Sequence, residues 1–132
     1  MTPLSTPGTA IGVGADLIAL KRIKDAVETS GAVFLDKVFT PREQERSRAH
    51  PNPIAYLAMI FAAKEAIFKS FGTGWDAGVQ FTEIEITDGP HGEPVAALTG
   101  KFAELATLRG ATRVLVSVAY DGDYAIGVAT LS

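Results

Sequence analysis

Apolar positions recur along this chain at two periods, and the switches between them mark out elements. Ala10 to Ile18, AIGVGADLI, is apolar and β-compatible apart from Gly12 and Gly14, which predicts a buried first strand ending near Asp16. LIALKRIKDAVETSG then places Leu17, Leu20, Ile23 and Val27 at helical spacing, and Gly31 stops the helix. GAVFLDKVF predicts a helical turn or two. In FTPREQERSRAH, Thr40 can cap a helix, Pro41 suits its first position, and Glu43 can bond back to the cap. The main helix is expected from about Pro53 to Phe71, with Asn52 as its cap. Beyond GTGWDAG the period changes to two. VQFTEIEIT alternates with Phe81, Ile84 and Ile86 inward, DGPHGEP turns, and PVAALT returns as the second strand of a hairpin. GKFAELATLRG predicts a short helix closed by Gly110. TRVLVSVAYD and YAIGVATL predict two strands joined at Asp121-Gly122-Asp123.

That order predicts an α+β fold, helices packed on a mostly antiparallel sheet. Residues 1–9, rich in Pro, Thr and Gly, read as a flexible leader, and residues 10–132 as a single domain. Composition adds exclusions. With 47% hydrophobic and 20% charged residues the chain suits a globule rather than a disordered segment. A net charge of −3 argues against a dedicated nucleic-acid binder. No apolar run approaches the roughly 20 residues that cross a bilayer, so no membrane role is expected. The absence of cysteine rules out disulfides and thiolate metal sites and suits a reducing, cytoplasmic setting. His50 and His91 lie in Pro- or Gly-rich turns and read as surface residues.

Candidate chemistry concentrates in FAAKEAIFKSFGTG, where an otherwise apolar helix carries Lys64, Glu65 and Lys69 and runs into Gly72-Thr73-Gly74. Positions three and four apart share a helix face, so Ala58, Ala62, Glu65 and Lys69 form one stripe flanked by Phe61 and Phe68. Glu65 and Lys69 alone fit an ordinary surface ion pair. The small apolar stripe, the second cation at Lys64 and the glycine turn favour instead a site for magnesium and phosphate, since magnesium takes carboxylates, substrate phosphates and waters. Asp16 is the candidate second carboxylate. A charge ending an apolar strand calls for a partner or a metal, although helix capping explains it equally well. GVGADL lacks the third glycine of a dinucleotide-binding fingerprint and no strand-helix-strand unit follows, which excludes that reading.

GVGADLIALKRI, FTPREQE, FAAKEAIFKSFGTG, FTEIEI and VLVSVAYDGDYAIGVATL resemble, in order and spacing, the holo-acyl-carrier-protein synthase family, the small 4′-phosphopantetheinyl transferases. The resemblance implies that fold and a reaction: Mg2+-dependent transfer of the 4′-phosphopantetheine arm of coenzyme A to a serine of an apo acyl carrier protein, releasing adenosine 3′,5′-bisphosphate. Asp16 and Glu65 match the metal-binding carboxylates. Lys69 matches a lysine that meets the phosphates and assists proton transfer. Lys64, Gly72, Thr73, Gly74 and Tyr120 match positions at or near the coenzyme, and Lys21, Arg22 and Lys24 a helix that contacts the carrier. Such residues suit the reaction: the ion neutralises pyrophosphate oxygens, lysine stabilises leaving-group charge, and water on the ion, or a carboxylate beside it, accepts the serine proton. Arg42, Arg46 and Arg48 add positive charge on the next helix, which suits an acidic partner. The resemblance also implies a homotrimer with active sites shared between subunits.

Two positions depart from the family pattern. Ile60 stands where an arginine precedes FAAKEA, and Tyr120 where a histidine ends the penultimate strand. Ala19 replaces an acid. Both departures remove cationic or donor groups near the coenzyme's phosphates, leaving two readings: an active transferase with a modified coenzyme pocket, or a non-catalytic relative that binds a carrier or assembles with one. Asp16, Glu65, Lys69 and the GTG turn favour the first.

Overall fold

A computed structural model describes residues 10–72 and 78–132. Along the chain lie β1 (Gly12–Ala19), α1 (Leu20–Ser30), α2 (Ala32–Val38), α3 (Pro41–Ala49), α4 (Pro53–Ser70), β2 (Ile84–Asp88), β3 (Pro94–Leu98), α5 (Gly100–Leu108), β4 (Val114–Asp121) and β5 (Tyr124–Leu131). A three-stranded antiparallel sheet has the order β1-β5-β4, and β2 and β3 form a separate antiparallel hairpin. This is the α+β arrangement expected, with the first strand recruited to the last hairpin.

Caps set the helix starts. The Thr40 side chain accepts from Glu43 N while Glu43 accepts from Thr40 N, a complete capping box with Pro41 behind it. Asn52 accepts from Ala55 N at the start of α4. The start of α5 is capped from a distance: the Glu83 carboxylate accepts from the backbone of Lys101 and Phe102. The same carboxylate accepts from Gln80 N at 2.6 Å. Those bonds hold Phe81–Glu83 as a 3-10 turn, so β2 begins at Ile84 and not at Val79, where the alternation starts.

The strand register divides the large sheet into two faces. In β1 the even positions Gly12, Gly14, Asp16 and Ile18 face α4, and their partners in β5 are Leu131, Ala129, Gly127 and Ala125. Glycine is what lets α4 settle there. A Cβ on Gly12 would land on the Ser70 carbonyl, on Gly14 on the Ala66 carbonyl, and on Gly127 against the Ala62–Ala63 backbone. The alanines of the predicted stripe therefore meet the sheet backbone, not a ligand. The other long side of α4 carries the aromatic core: Phe68 and Phe71 each stack edge-on to Phe102 at 4.9 Å, and Phe61 and Phe68 meet Phe81 at 5.5 and 5.2 Å. Each such ring contributes on the order of 1.5–3 kcal/mol on burial.

Candidate active site

β1 continues past Asp16 to Ala19, because the whole segment pairs with β5 as far as Tyr124. The strand that was expected to end at Asp16 does not, and α1 begins at Leu20 with no side-chain cap. Asp16 is therefore not a helix cap. It lies on a strand, on the face toward α4, partly buried.

Glu65 and Lys69 reach the same place from α4. Lys69 Nζ donates to Asp16 Oδ1 at 3.0 Å and to the Ala15 carbonyl at 3.1 Å. The predicted Glu65–Lys69 pair is thus replaced by an ion pair across elements, although the Lys69 charge still acts on Glu65. Burial pushes the Glu65 carboxyl up and the Asp16 carboxylate pushes it further; Lys69 and Arg22 oppose both. Two carboxylates so close that one raises the other, half-buried and with a lysine alongside, form a site that favours a divalent cation. Among the described residues no group of three or more His, Asp or Glu converges. Asp16 and Glu65 bring oxygen donors to this place, which fits magnesium, an ion that fills its shell from phosphates and water.

Arg22 also turns toward this place. Its guanidinium lies 5.9 Å from the centre of the Phe61 ring and its charge reaches Glu65. Lys21 is exposed and paired with Asp25 at 2.6 Å. Lys24 lines an open surface cavity of about 580 Å3 with Leu20, Lys21, Asp25, Glu28, Asn52, Ile54 and Asp123. On α3, Arg46 pairs with Asp88 at 2.6 Å and Arg42 with Glu85 at 3.6 Å, so β2 absorbs much of that helix's positive charge.

Other expected residues lie elsewhere. Lys64, expected beside a phosphate, is fully buried, and its ammonium donates to Val38 O at 2.7 Å, Glu43 Oε1 at 2.6 Å and Phe81 O at 3.2 Å. A lysine with three protein acceptors and no exposure has nothing left for a coenzyme; its neighbour Glu65, 100° round the helix, has. Thr73 and Gly74 lie outside the described residues, while Gly72 is exposed at the end of α4 with φ of 65°. Tyr120 lies on β4 in the same rung as Ala125 of β5 and Ile18 of β1. It shares Asp16's face but sits on the opposite edge strand. Ile60 is also toward β4, where it lines a cavity of about 240 Å3 with Val118, Tyr56, Ile86 and Asp88. His50, expected at the surface, is half-buried, stacks on Tyr56 at 5.3 Å and accepts from Asn52 N. Sequence reasoning missed Glu43 as Lys64's partner; its signal, the capping box, was fully used by the cap.

An antiparallel sheet crossed by one long helix, with a carboxylate from each and a lysine between them, defines a class. Residues 12–129 match the 4′-phosphopantetheinyl transferase superfamily, and the chain belongs to it. Within that class it belongs with the holo-[acyl-carrier-protein] synthases. It is 45% identical over 119 residues to the holo-[acyl-carrier-protein] synthase of Desulforudis audaxviator, covering 90% of each chain. The crystal structure of the Neisseria meningitidis synthase superposes with a TM-score of 0.86 at 30% identity, covering 94% of this chain and 99% of that one. That of the Helicobacter pylori synthase in complex with coenzyme A gives 0.80 at 25% identity, over 91% and 99%.

Proposed function

We infer that this chain transfers the 4′-phosphopantetheine arm of coenzyme A to a serine of an apo acyl carrier protein, using Mg2+ held by Asp16 and Glu65. The observation that carries the reading is the meeting of those two carboxylates with Lys69 across the β1–α4 seam. The ion, when bound, would neutralise pyrophosphate oxygens. The chain's own groups do the rest. Lys69, half-exposed, has its ammonium positioned to swing from Asp16 onto a phosphate oxygen and balance charge on the leaving group. Burial and the Asp16 carboxylate push the Glu65 carboxyl up in the metal-free chain, and in its ionised form it would hold the ion with Asp16; water bound to that ion would accept the serine proton. The serine Oγ–phosphorus bond forms as the bond to the bridging pyrophosphate oxygen breaks, so adenosine 3′,5′-bisphosphate departs. By resemblance to the family, Gly72, Thr73 and Gly74 contribute to binding the coenzyme.

Arg22, beside Glu65 and exposed, is the cation best placed to receive an acidic carrier at the site; Lys21 and Lys24 extend the same helix face. Tyr120 sits too far across the sheet to serve its own subunit's Asp16, since two strand spacings of ~4.8 Å part their strands. It fits a site shared with a neighbour in a homotrimer. The outer face of the sheet, with Val13, Leu17, Leu115, Ile126 and Val128 exposed, supplies an apolar surface for such an assembly. No helix among the described residues is long and apolar enough to cross a membrane, which supports a cytoplasmic setting.

The uncharged Ile60 and Tyr120 favour a second reading, carrier binding without transfer. Incubation with coenzyme A, magnesium and an apo carrier separates the two. Intact-mass spectrometry should show the carrier gaining the arm with the wild-type chain and not with Asp16→Ala or Glu65→Ala. Equal rates in both variants and wild type would refute the metal site. Folded wild-type chain that loads no carrier would favour the second reading.

A further inference from the structure

Lys64 and Glu43 form an ion pair in which neither side chain has any exposure. All its bonding capacity is spent on backbone from separate elements. The ammonium holds the carbonyl of Val38, the last residue of α2, and that of Phe81 in the turn before β2. It also lies 5.7 Å from the centre of the Phe39 ring. Glu43 Oε1 accepts from Thr40 N at 2.9 Å as well as from Lys64, and Oε2 accepts from Ile86 N at 2.7 Å. Ile86 lies on β2, which pairs with β3 on one side, so Glu43 closes the other edge at that residue. One charged pair therefore ties α2, α3, the 81–83 turn and β2 to a single point on α4.

That point is the residue next to Glu65. On its sheet side α4 rests on the glycines of β1 and β5, and the half-exposed Lys69 bonds across that seam to Asp16 and the Ala15 carbonyl. Hydrogen bonds are directional, and a lysine anchored by three acceptors fixes both the rotation and the height of the helix. We propose that the buried Lys64–Glu43 pair is a positioning device for the Asp16–Glu65 site: it locks α4 so that Glu65 meets Asp16 across the seam. The proposal deepens the metal-site reading and rests on it.

The test uses the full chain, Mn2+ as the probe for the metal alone, and arm transfer as a second readout. Lys64→Met or Glu43→Gln alone leaves a buried group without its partner and should lower the denaturation midpoint strongly. The double variant Lys64→Met/Glu43→Leu leaves no unpaired charge and should recover part of that loss, the remainder reflecting the backbone groups of Val38, Phe81, Thr40 and Ile86 that lose their partners. It should nevertheless bind Mn2+ on the order of 10–100-fold more weakly than wild type, with kcat reduced and KM for coenzyme A little changed, as for loss of a group that orients a metal ligand. A stable double variant with wild-type Mn2+ affinity and kcat overturns the proposal. If that variant does not fold, Glu43→Asp serves below its denaturation midpoint: it keeps the charge but shortens the reach, and should weaken Mn2+ several-fold while the chain is folded by circular dichroism, an unchanged affinity being the contrary result. Asp16→Ala is the control. Equal Mn2+ binding by Asp16→Ala and wild type removes the metal site, and the positioning role with it; loss in Asp16→Ala with full binding in the double variant removes the positioning role alone.

Discussion

Glu65 shows how one carboxylate can be costly to the free fold and useful to the reaction. Burial is the larger cause of its raised pKa and Asp16 the smaller, with Lys69 and Arg22 pulling the other way. The folded metal-free chain therefore holds that proton more tightly than the unfolded chain, whose value is about 4.3. Between the two values the native state binds more protons, so stability falls as pH rises through the window and the loss is complete above it. A divalent ion needs the ionised form, so its affinity rises with pH across the same range. Glu65→Gln should remove both effects. Urea denaturation without metal should show the variant at least as stable as wild type at neutral pH and missing one downward step in the acid-to-neutral profile, while Mn2+ binding is lost. A variant less stable than wild type at neutral pH, with the step retained, would mean that Glu65 is not strained by its surroundings.

At the scale of elements, the glycines of β1 carry a packing role that composition alone disguises as a phosphate loop. Gly14 has no room for a side chain because α4 presses its Ala66 carbonyl into that space. Gly14→Ala should push helix and sheet apart, destabilising by about 1–3 kcal/mol in denaturant titration and weakening metal binding, because Asp16 and Glu65 ride on the two surfaces being separated. Wild-type stability would show that α4 is held by other contacts. The same seam explains what can be read from the sequence. The starts of helices α3 and α4 are legible to the residue because Thr40–Glu43 and Asn52 are caps made within one turn. From the residues, Asp16 as Glu65's companion carboxylate stands level with helix capping, because the site joins β1 to α4 across the chain, and it is the family resemblance that favours the companion. The continuation of β1 past Asp16 to Ala19 is not legible, because the strand is extended by pairing with β5 at the other end of the chain. Lys64 is misread for a related reason. A charge on an apolar helix looks like a ligand group until its partner, hidden in another helix's cap, is brought to it by the fold.

The whole molecule presents a sheet with one face buried and one bare. Val13 is 72% and Leu17 64% exposed, and Leu115, Ile126 and Val128 continue the apolar surface across β4 and β5. Register makes it continuous: Leu17, Ile126 and Ala119 share one rung, and Ala15, Val128 and Ser117 the next. A soluble monomer rarely leaves so large an apolar face to water. Ile60 and Tyr120 lie toward β4 while Asp16 lies on β1, so one subunit carries parts of the proposed pocket on opposite edges. Assembly through the bare face would bring one subunit's metal-site edge to its neighbour's β4 edge. Val128→Glu tests this at the centre of the face. The side chain already meets solvent, so the subunit should stay folded by circular dichroism, while light scattering should find the proposed trimer in the wild type and monomer in the variant. Transfer should fall with it, mainly through a raised KM for coenzyme A, since the metal carboxylates remain in place. A wild-type chain that is monomeric at micromolar concentration, or a monomeric variant with undiminished kcat/KM, would show that each subunit works alone.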